Sequence, residues 1–228
     1  MINLTPANAV TQVRKNLDEM DANGSSMILY VDETGDNASL DDIIKRNIPE
    51  AVNAICLAAP VPLLEGIDQQ VSDDDTYAQV TVANNGVVEI RMPNTADFLR
   101  LVAFQAEDSP FVVTEVLPEA SIEARKQQNP HLRGTFDRPR LVLMQGTGGA
   151  PVLRYYTVRD ASEYSEDPTD AVKQFKYIKR AEYSNTVGTT YPVPEALLQN
   201  VIDYLTALVM TTYKDDRAQI YIQKAKQF

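Results

Sequence analysis

The segment Pro194–Tyr213 limits the possible folds of this chain more than any other stretch of its sequence. Its apolar residues recur every three or four positions, which places them on one side of a helix. They are Leu197, Leu198, Val201, Ile202, Leu205, Leu208 and Val209. Pro194 suits the first turn of this helix, where its missing N–H costs nothing. Because a helix with so broad an apolar face is not stable alone in water, other helices must cover it.

Another amphipathic helix is predicted near the opposite end of the sequence. Thr5 suits the N-cap and Pro6 the first helical position, and Asn23-Gly24 is typical of a helix end. Its apolar face consists of Val10, Val13, Leu17 and Met20. This helix is one candidate to cover the segment Pro194–Tyr213. A shorter helix over Arg217–Phe228 presents Ala218, Tyr221, Ile222 and Ala225.

The second candidate to cover that segment is a helix over Leu40–Ala59. Apolar residues at helical spacing line one of its sides, and Asp41 suits its positive N-terminus. Pro49 interrupts the pattern. Because proline removes a backbone donor and crowds the preceding turn, we expect a kink or a break near Ile48.

Between these helices the apolar pattern changes to the period of strands. Three strand pairs are predicted, the first of them a hairpin around Asn85-Gly86. The pairs are Thr76–Val82 with Gly86–Met92, Phe98–Gln105 with Phe111–Leu117, and Arg140–Gln145 with Val152–Val158. A short helix is predicted over Pro118–Gln128, and Gln174–Arg180 fits either a strand or a helix.

The order of helices, then strands, then helices predicts an α+β fold. We expect a discontinuous helical bundle, formed by the N-terminal and C-terminal helices, with an inserted antiparallel β module. The corresponding boundaries are residues 1–75 and 181–228 for the two parts of the helical domain and 76–180 for the β-rich domain.

Charge is unevenly distributed along the 228 residues, whose net charge is −11. Residues 1–117 contain 19 Asp and Glu against 6 Lys and Arg, whereas residues 118–228 contain 13 against 15. The acidic total argues against general binding to nucleic acid or acidic lipid, which depends on clustered basic residues. The asymmetry fits either a solubilising distribution of acids or one acidic face that suits head-to-tail contact between copies.

Composition also indicates where such a chain is made. The longest apolar run, Ile55–Leu64, contains two prolines and is too short to span a bilayer. The first residues lack the basic and apolar regions of a signal peptide. A single cysteine, Cys56, cannot form an internal disulfide or a metal site alone. We therefore expect synthesis in a reducing cytoplasm and no membrane partner.

No motif assigns a catalytic, cofactor-binding or metal-binding residue. Asp73-Asp74-Asp75 fits a solvated acidic loop better than a cation site, because three consecutive carboxylates cannot converge on one ion in regular structure. Gly146–Gly149 lacks the Lys and helix of a phosphate-binding loop and suits a hairpin turn. The only histidine, His131, has no nucleophile at a recognisable spacing. The tyrosines could line a nucleic-acid or sugar-binding face, but packing and subunit contact fit better because few basic residues accompany them. They are Tyr155, Tyr156, Tyr164, Tyr177 and Tyr183.

Basic residues gather in the second half of the sequence. They are Arg125, Lys126, Arg133, Arg138 and Arg140, followed by Lys173, Lys176, Lys179 and Arg180. They fit either a nucleic-acid patch or a partner for acidic surface on the same or another copy. The net charge of −11 favours the acidic partner.

Three segments resemble structural proteins of tailed bacteriophages. The segment Leu117–Thr135 contains R-K-Q-Q-N-P-H-L-R-G-T and precedes Arg138-Pro139; the other two are Asp41–Pro60 and Pro192–Tyr213. Together they resemble head–tail adaptor, or ring, proteins of the crAss-like phage type. The resemblance implies a helical body with an elaborated β part and no enzymatic activity or cofactor.

The resemblance also implies partners and a location. Family members form closed rings of about a dozen copies, in which each subunit uses two different surfaces. The ring would lie in the virion below the portal protein, contact other ring and tail proteins, and let DNA pass without specific binding. The chain would be made in the cytoplasm of the host bacterium. We name Arg125, Lys126, Arg133, Arg138 and Tyr221 as subunit-contact candidates.

Two other classes of function stay open from the sequence. The first is a non-catalytic tail module that binds carbohydrate or protein through the tyrosine-rich β region. The second is a hydrolase whose site is assembled from scattered residues such as Asp73, Asp75 and His131.

Overall fold

The computed structural model describes most of the chain in thirteen stretches. They are residues 1–17, 40–64, 67–68, 79–83, 87–91, 98–106, 109–129, 131–132, 140–145, 151–156, 172–184, 186 and 188–228. The predicted turn at Asn85-Gly86 and the end of the first helix at Asn23-Gly24 lie outside them. The chain forms two compact units, one from Met1–Glu65 with Arg180–Phe228 and one from Gly66–Lys179. We call them the helical unit and the β unit.

Most helices and most strands lie in separate parts of the chain, so the predicted α+β class is confirmed. The first part contains β1 (Ile2–Leu4), α1 (Pro6–Asn16) and α2 (Leu40–Ala58). The middle contains β2 (Ile67–Asp68), β3 (Gln79–Ala83), β4 (Val87–Arg91), β5 (Phe98–Ala106), β6 (Val116–Pro118), α3 (Ile122–Gln127), β7 (Leu141–Gln145), β8 (Pro151–Tyr156) and β9 (Val172–Lys179). The last part contains β10 (Tyr191–Val193), α4 (Leu198–Thr212) and α5 (Ala218–Ala225).

Helix α4 is the central element of the helical unit. A short 3-10 turn, Glu195–Leu197, precedes it, and most of its predicted apolar face is buried, including Val201, Leu205 and Val209. It packs against α2, α1 and α5. Thr206 is fully buried; its hydroxyl donates to the Ile202 carbonyl (2.8 Å) and accepts from the Asn16 amide (3.0 Å). Since a buried hydroxyl must find partners, this pair ties the end of α1 to α4.

A kink or a break was expected near Ile48; helix α2 runs through Pro49 without a break. Both residues are buried, and the helix packs against α1 and α4. Proline inside a helix costs about 3 kcal/mol. Burial of a single large apolar side chain stabilises by roughly 1.5–3 kcal/mol, so the packing of several such residues outweighs that cost.

A cap at the start of α1 and contacts between distant segments order the two ends of the chain in the helical unit. The Thr5 hydroxyl accepts from the Asn8 N–H (3.2 Å), which confirms the predicted N-cap of α1. The strands β1 and β10 pair antiparallel, a short sheet that the sequence did not predict. The Asn53 amide pairs with both backbone groups of Ala181 at 2.9 Å. These contacts fix the chain where it returns from the β unit.

Two sheets form the β unit. A three-stranded sheet has the order β2-β9-β5, and a five-stranded sheet has the order β3-β4-β8-β7-β6. Alternate residues of the two sheets form a common core, including Ile90, Phe104, Leu153, Tyr155 and Phe175. On the other face of the five-stranded sheet, Ala124 of α3 packs with Val87, Val142 and Tyr156. The β unit is therefore a sandwich with α3 on one outer face.

Most of the strand predictions are confirmed, and two are corrected. The hairpins β3–β4 and β7–β8 form as predicted, and Gln174–Arg180 falls in a strand, β9. The expected pair of Phe98–Gln105 with Phe111–Leu117 is wrong. Strand β5 pairs with β9 instead, and only Val113 bridges to β5, at Phe104. The module is also not wholly antiparallel, because β6 pairs parallel to β7 across the connecting helix α3.

Candidate interaction surfaces

Helix α3 presents two of the predicted contact residues. Ser121 caps it by accepting from the Ala124 N–H (3.1 Å), so the helix begins later than Pro118, the predicted start. Ala124 is buried against the sheet, which leaves Arg125 and Lys126 on the exposed side. The Lys126 ammonium pairs with Glu123 at 2.8 Å. Two other candidates, Arg133 and Arg138, lie outside the described residues.

The chain before α3 crosses from one sheet to the other, and we call residues 109–123 the crossing segment. Its Val113 exchanges both backbone hydrogen bonds with Phe104 on β5, at 2.7 and 2.8 Å. It then forms β6 at the edge of the five-stranded sheet. Three of its large apolar side chains are exposed, namely Phe111, Val112 and Ile122, the last at 72%. The segment thus closes one side of the sandwich and presents apolar surface to solvent.

Helix α5 presents a second exposed surface, in the helical unit. Ala218 and Ala225 are buried where α5 packs on α4. Ile220 lies on the opposite side of the helix and is 55% exposed. Lys224, one turn further along, and Lys226 are also exposed. We call Ile220 and Lys224, together with Lys226 and Phe228 just after the helix, the outer surface of α5.

Tyr221, the last of the predicted contact residues, makes its described contacts within the chain. It is half-buried, and its hydroxyl donates to the Asn16 carbonyl at the end of α1 (3.2 Å). The Lys224 ammonium lies 4.7 Å from the centre of its ring, a cation–π distance. Tyr221 therefore fixes α5 against α1 and supports the lysine above it.

Hydrogen bonds fix both the turn that leads into α5 and the residues at its end. After α4, the Asp215 N–H donates to Met210 (2.9 Å) and the Lys214 N–H to Thr211 (3.1 Å). This is the Schellman pattern of a helix end, with Lys214 at φ +58° in the left-handed position. At the other end, the Asn200 amide donates to the carbonyls of Ala225 and Gln227, both at 3.1 Å. These bonds set the direction of α5 relative to α4.

A groove of about 780 Å³ opens in the helical unit between the starts of α1 and α2 and the segment before β10. Six serine and threonine side chains line it beside apolar residues such as Pro6, Ala7 and Val10; they are Thr5, Thr11, Ser184, Thr186, Thr189 and Thr190. Exposed Tyr183 adds an aromatic ring, and Asp42 and Lys45 add charge, although they pair only distantly at 4.0 Å. Such a lining offers hydrogen-bonding groups beside apolar surface.

Buried Tyr191 forms part of the groove. Burial raises the pKa of its phenol, and the nearby Tyr183 raises it further, while a hydrogen bond with the Ser184 backbone acts in the opposite direction. The raised pKa keeps Tyr191 neutral well into the alkaline range. Tyr191 therefore brings no negative charge to the groove at neutral pH.

An ion pair joins neighbouring strands on the α3 side of the five-stranded sheet. Glu89 on β4 faces Arg154 on β8, whose Nε donates to Glu89 at 3.0 Å and whose Nη2 makes a second, shorter bond. Although partial burial lowers it, the pKa of Arg154 is raised on balance by hydrogen bonds to Tyr156 and Glu89 and by the Glu89 charge. The pair locks the strand register, which is a structural role.

The residues weighed for catalysis do not converge in the described part of the chain. His131 is exposed, and its backbone N–H donates to the Asn129 side chain at 2.9 Å. Cys56 is buried in α2. Tyr155, Tyr156 and Tyr177 are buried in the β unit, whereas Tyr164, Asp73–Asp75 and Gly146–Gly149 lie outside the described residues.

The described stretches contain neither a cluster of metal-binding side chains nor a membrane-spanning helix. Across those stretches, no group of three or more His, Cys, Asp or Glu side chains is placed to hold a metal ion. No described helix has both the length and the apolar composition needed to cross a membrane. No protein-family model matches the chain, and no curated protein matches its sequence.

Proposed function

We propose that this chain is a structural virion protein that forms a ring in the head–tail connector of a tailed bacteriophage, below the portal. The observation that supports it best is the construction of the helical unit from Met1–Glu65 and Arg180–Phe228, with the β unit between them. A helical body with an inserted β part is the arrangement that the resemblance implies. The exposed surfaces on α5 and on the crossing segment suit contacts with neighbouring subunits.

In this proposal DNA passes through the ring without binding to it. A net charge of −11 repels a phosphate backbone, because affinity for DNA comes from basic residues that displace its counterions. We expect no measurable affinity for duplex DNA at physiological salt. A gel-shift assay that gives micromolar binding would contradict this part of the proposal.

Native mass spectrometry of the purified protein tests the ring. We expect either a monomer or a closed assembly of about a dozen copies, the symmetry that the resemblance implies for such rings. A stable dimer under all conditions would overturn the proposal. Electron microscopy of phage particles that contain the chain tests its position, because density for this subunit should form a ring directly below the portal. Density elsewhere in the particle would place the protein outside the connector.

The groove favours a second candidate function, a tail module that binds carbohydrate. Its hydroxyl groups and the exposed ring of Tyr183 offer the hydrogen bonds and stacking surface that a pyranose ring uses. A glycan array probed with the wild type and with Tyr183→Ala tests this candidate. Binding that the substitution abolishes would support it, whereas an array without signal would reject it.

A further inference from the structure

Among the described residues, five of the nine exposed large apolar side chains lie in two stretches of the chain. Phe111, Val112 and Ile122 lie in the crossing segment of the β unit, and Ile220 and Phe228 lie on the outer surface of α5 in the helical unit. Single exposed apolar residues need no explanation, but clusters of them mark contact sites. Each unit therefore has a surface suited to a partner.

The charges within these two surfaces are opposite. The crossing segment, residues 109–123, contains three acidic residues and no basic one, and Arg125 and Lys126 follow it on α3. Residues 217–228 contain three basic residues and no acidic one, and Asp215 and Asp216 precede them. One charge on each side is satisfied locally, because Glu123 pairs with Lys126 (2.8 Å) and Arg217 with Asp215 (2.9 Å). Within the described chain, neither the two remaining acids nor the two remaining bases form an ion pair. They are Glu115 and Glu119 on one surface and Lys224 and Lys226 on the other.

We propose that two copies of the chain meet head to tail, with the outer surface of α5 of one copy against the crossing segment of the next. Opposite charge and exposed apolar surface on both sides give the contact its attraction and its register. Because the two surfaces differ, each copy can bind two neighbours, and repetition of this contact closes a ring if the rotation between copies permits. The inference rests on the proposed connector ring and names the surfaces that would build it.

Both surfaces belong to elements that are held in place before any contact forms. Asn200 and Tyr221 fix α5 through three hydrogen bonds of 3.1–3.2 Å. The crossing segment is fixed by its bridge to Phe104 and by the pairing of β6 with β7. Since little ordering remains to be done, association loses less conformational entropy than the docking of a loose tail would.

Zero-length cross-linking tests the contact. A carbodiimide joins lysine amines to carboxylates that touch, and an equal mixture of ¹⁴N-labelled and ¹⁵N-labelled protein separates links between copies from links within one. We expect mixed-isotope links that join Lys224 or Lys226 to Glu115 or Glu119. Mixed-isotope links only through other residues, or links only within single chains, would overturn the contact.

Charge reversal provides the second test. The double variants Lys224→Glu with Lys226→Glu and Glu115→Lys with Glu119→Lys should each lower the yield of assembled protein in sedimentation velocity about tenfold or more, because like charges then face each other. The quadruple variant, which combines all four substitutions, should restore assembly, with its links now joining the new amines of the crossing segment to the new carboxylates of α5. Lys15→Glu with Lys173→Glu, which reverses two exposed lysines elsewhere, is the control and should leave the yield unchanged.

The outcomes separate this inference from the proposed function. Unchanged assembly in both double variants, or failure of the quadruple variant to recover, would overturn the α5 contact. Those results leave the ring itself standing, since its test is the mass of the assembly and its place in the particle. Circular dichroism on each variant verifies that a loss of assembly reflects a lost contact and not an unfolded chain.

Discussion

Lys214 occupies a backbone conformation that suits glycine. At φ +58° it lies in the left-handed position after α4, where a side chain costs roughly 1–2 kcal/mol. We expect Lys214→Gly to raise the free energy of unfolding by up to about 1 kcal/mol, because relief of this cost exceeds the extra entropy of glycine in the unfolded chain. Urea denaturation measures the change. Lys15→Gly, within α1, is the matched control and should lower stability by about 1 kcal/mol; a loss at both positions would contradict the argument.

Tyr191 should make the stability of the protein decrease at alkaline pH. Its pKa in the folded state is raised above the ordinary value of 10.0, first by burial, so folding favours the neutral phenol. This contribution is fully present below pH 10 and is lost as pH rises through the folded pKa. We expect the stability of the wild type to fall more steeply above pH 10 than that of Tyr191→Phe. Urea denaturation at pH 8 and at pH 11 measures the difference, and parallel losses in the two proteins would show that the expectation is wrong.

At the scale of elements, α5 depends on a few hydrogen bonds because it buries little apolar surface. Only Ala218 and Ala225 of its eight residues are buried, and the Asn200 amide bonds the carbonyls at its end. We expect Asn200→Ala to cost about 1–2 kcal/mol and to speed amide exchange in α5 more than in α4. Gln199→Ala, which removes an exposed side chain from the neighbouring position, is the control. Equal acceleration in both helices would mean that Asn200 stabilises the whole unit.

The sequence predicted the elements whose pattern is local. The helices around Thr5, Ile44 and Leu205 and the two hairpins follow from residues close in the chain. The sequence missed β1 and β10, because each has three residues and its partner lies at the far end of the chain. It also paired Phe111–Leu117 with β5, since an apolar run does not reveal which strand lies beside it.

The candidate surfaces were predictable only in part, for a related reason. Charge patterning selected Arg125 and Lys126, which are exposed on α3. It did not select Ile122 or Ile220, because an apolar residue in a helix is expected to be buried. Their exposure follows from which side of α3 and of α5 packs on its neighbour, and that depends on the fold. Tyr221, in contrast, was named as a candidate for contact between copies, and in the structure its hydroxyl bonds the Asn16 carbonyl and holds α5 to α1.

At the scale of the whole molecule, the chain leaves the helical unit soon after α2 in sequence and returns to it beside the same helix. Ala181 is bonded to Asn53 on α2, and the chain leaves the helical unit a few residues after the end of that helix. The two core clusters of the β unit contain only residues from Val87 to Tyr177. The helical unit, for its part, buries α4 among α1, α2 and α5. Each unit thus has a core of its own.

We therefore expect the helical unit to fold after Gly66–Lys179 is replaced by a flexible linker. A linker of about 12 Gly and Ser residues reaches roughly 40 Å when extended. That length suffices, because Ala181 is bonded to Asn53 and Leu64 follows Asn53 by only 11 residues. Loop length has a weak effect on stability, so the shortened chain should unfold cooperatively and with a helical circular dichroism spectrum. Adding Leu205→Ala to the shortened chain is the control, because a cavity in a packed core should cost about 2–5 kcal/mol. A shortened chain that unfolds without cooperativity, or that ignores this substitution, would mean that the helices depend on the β unit for their packing.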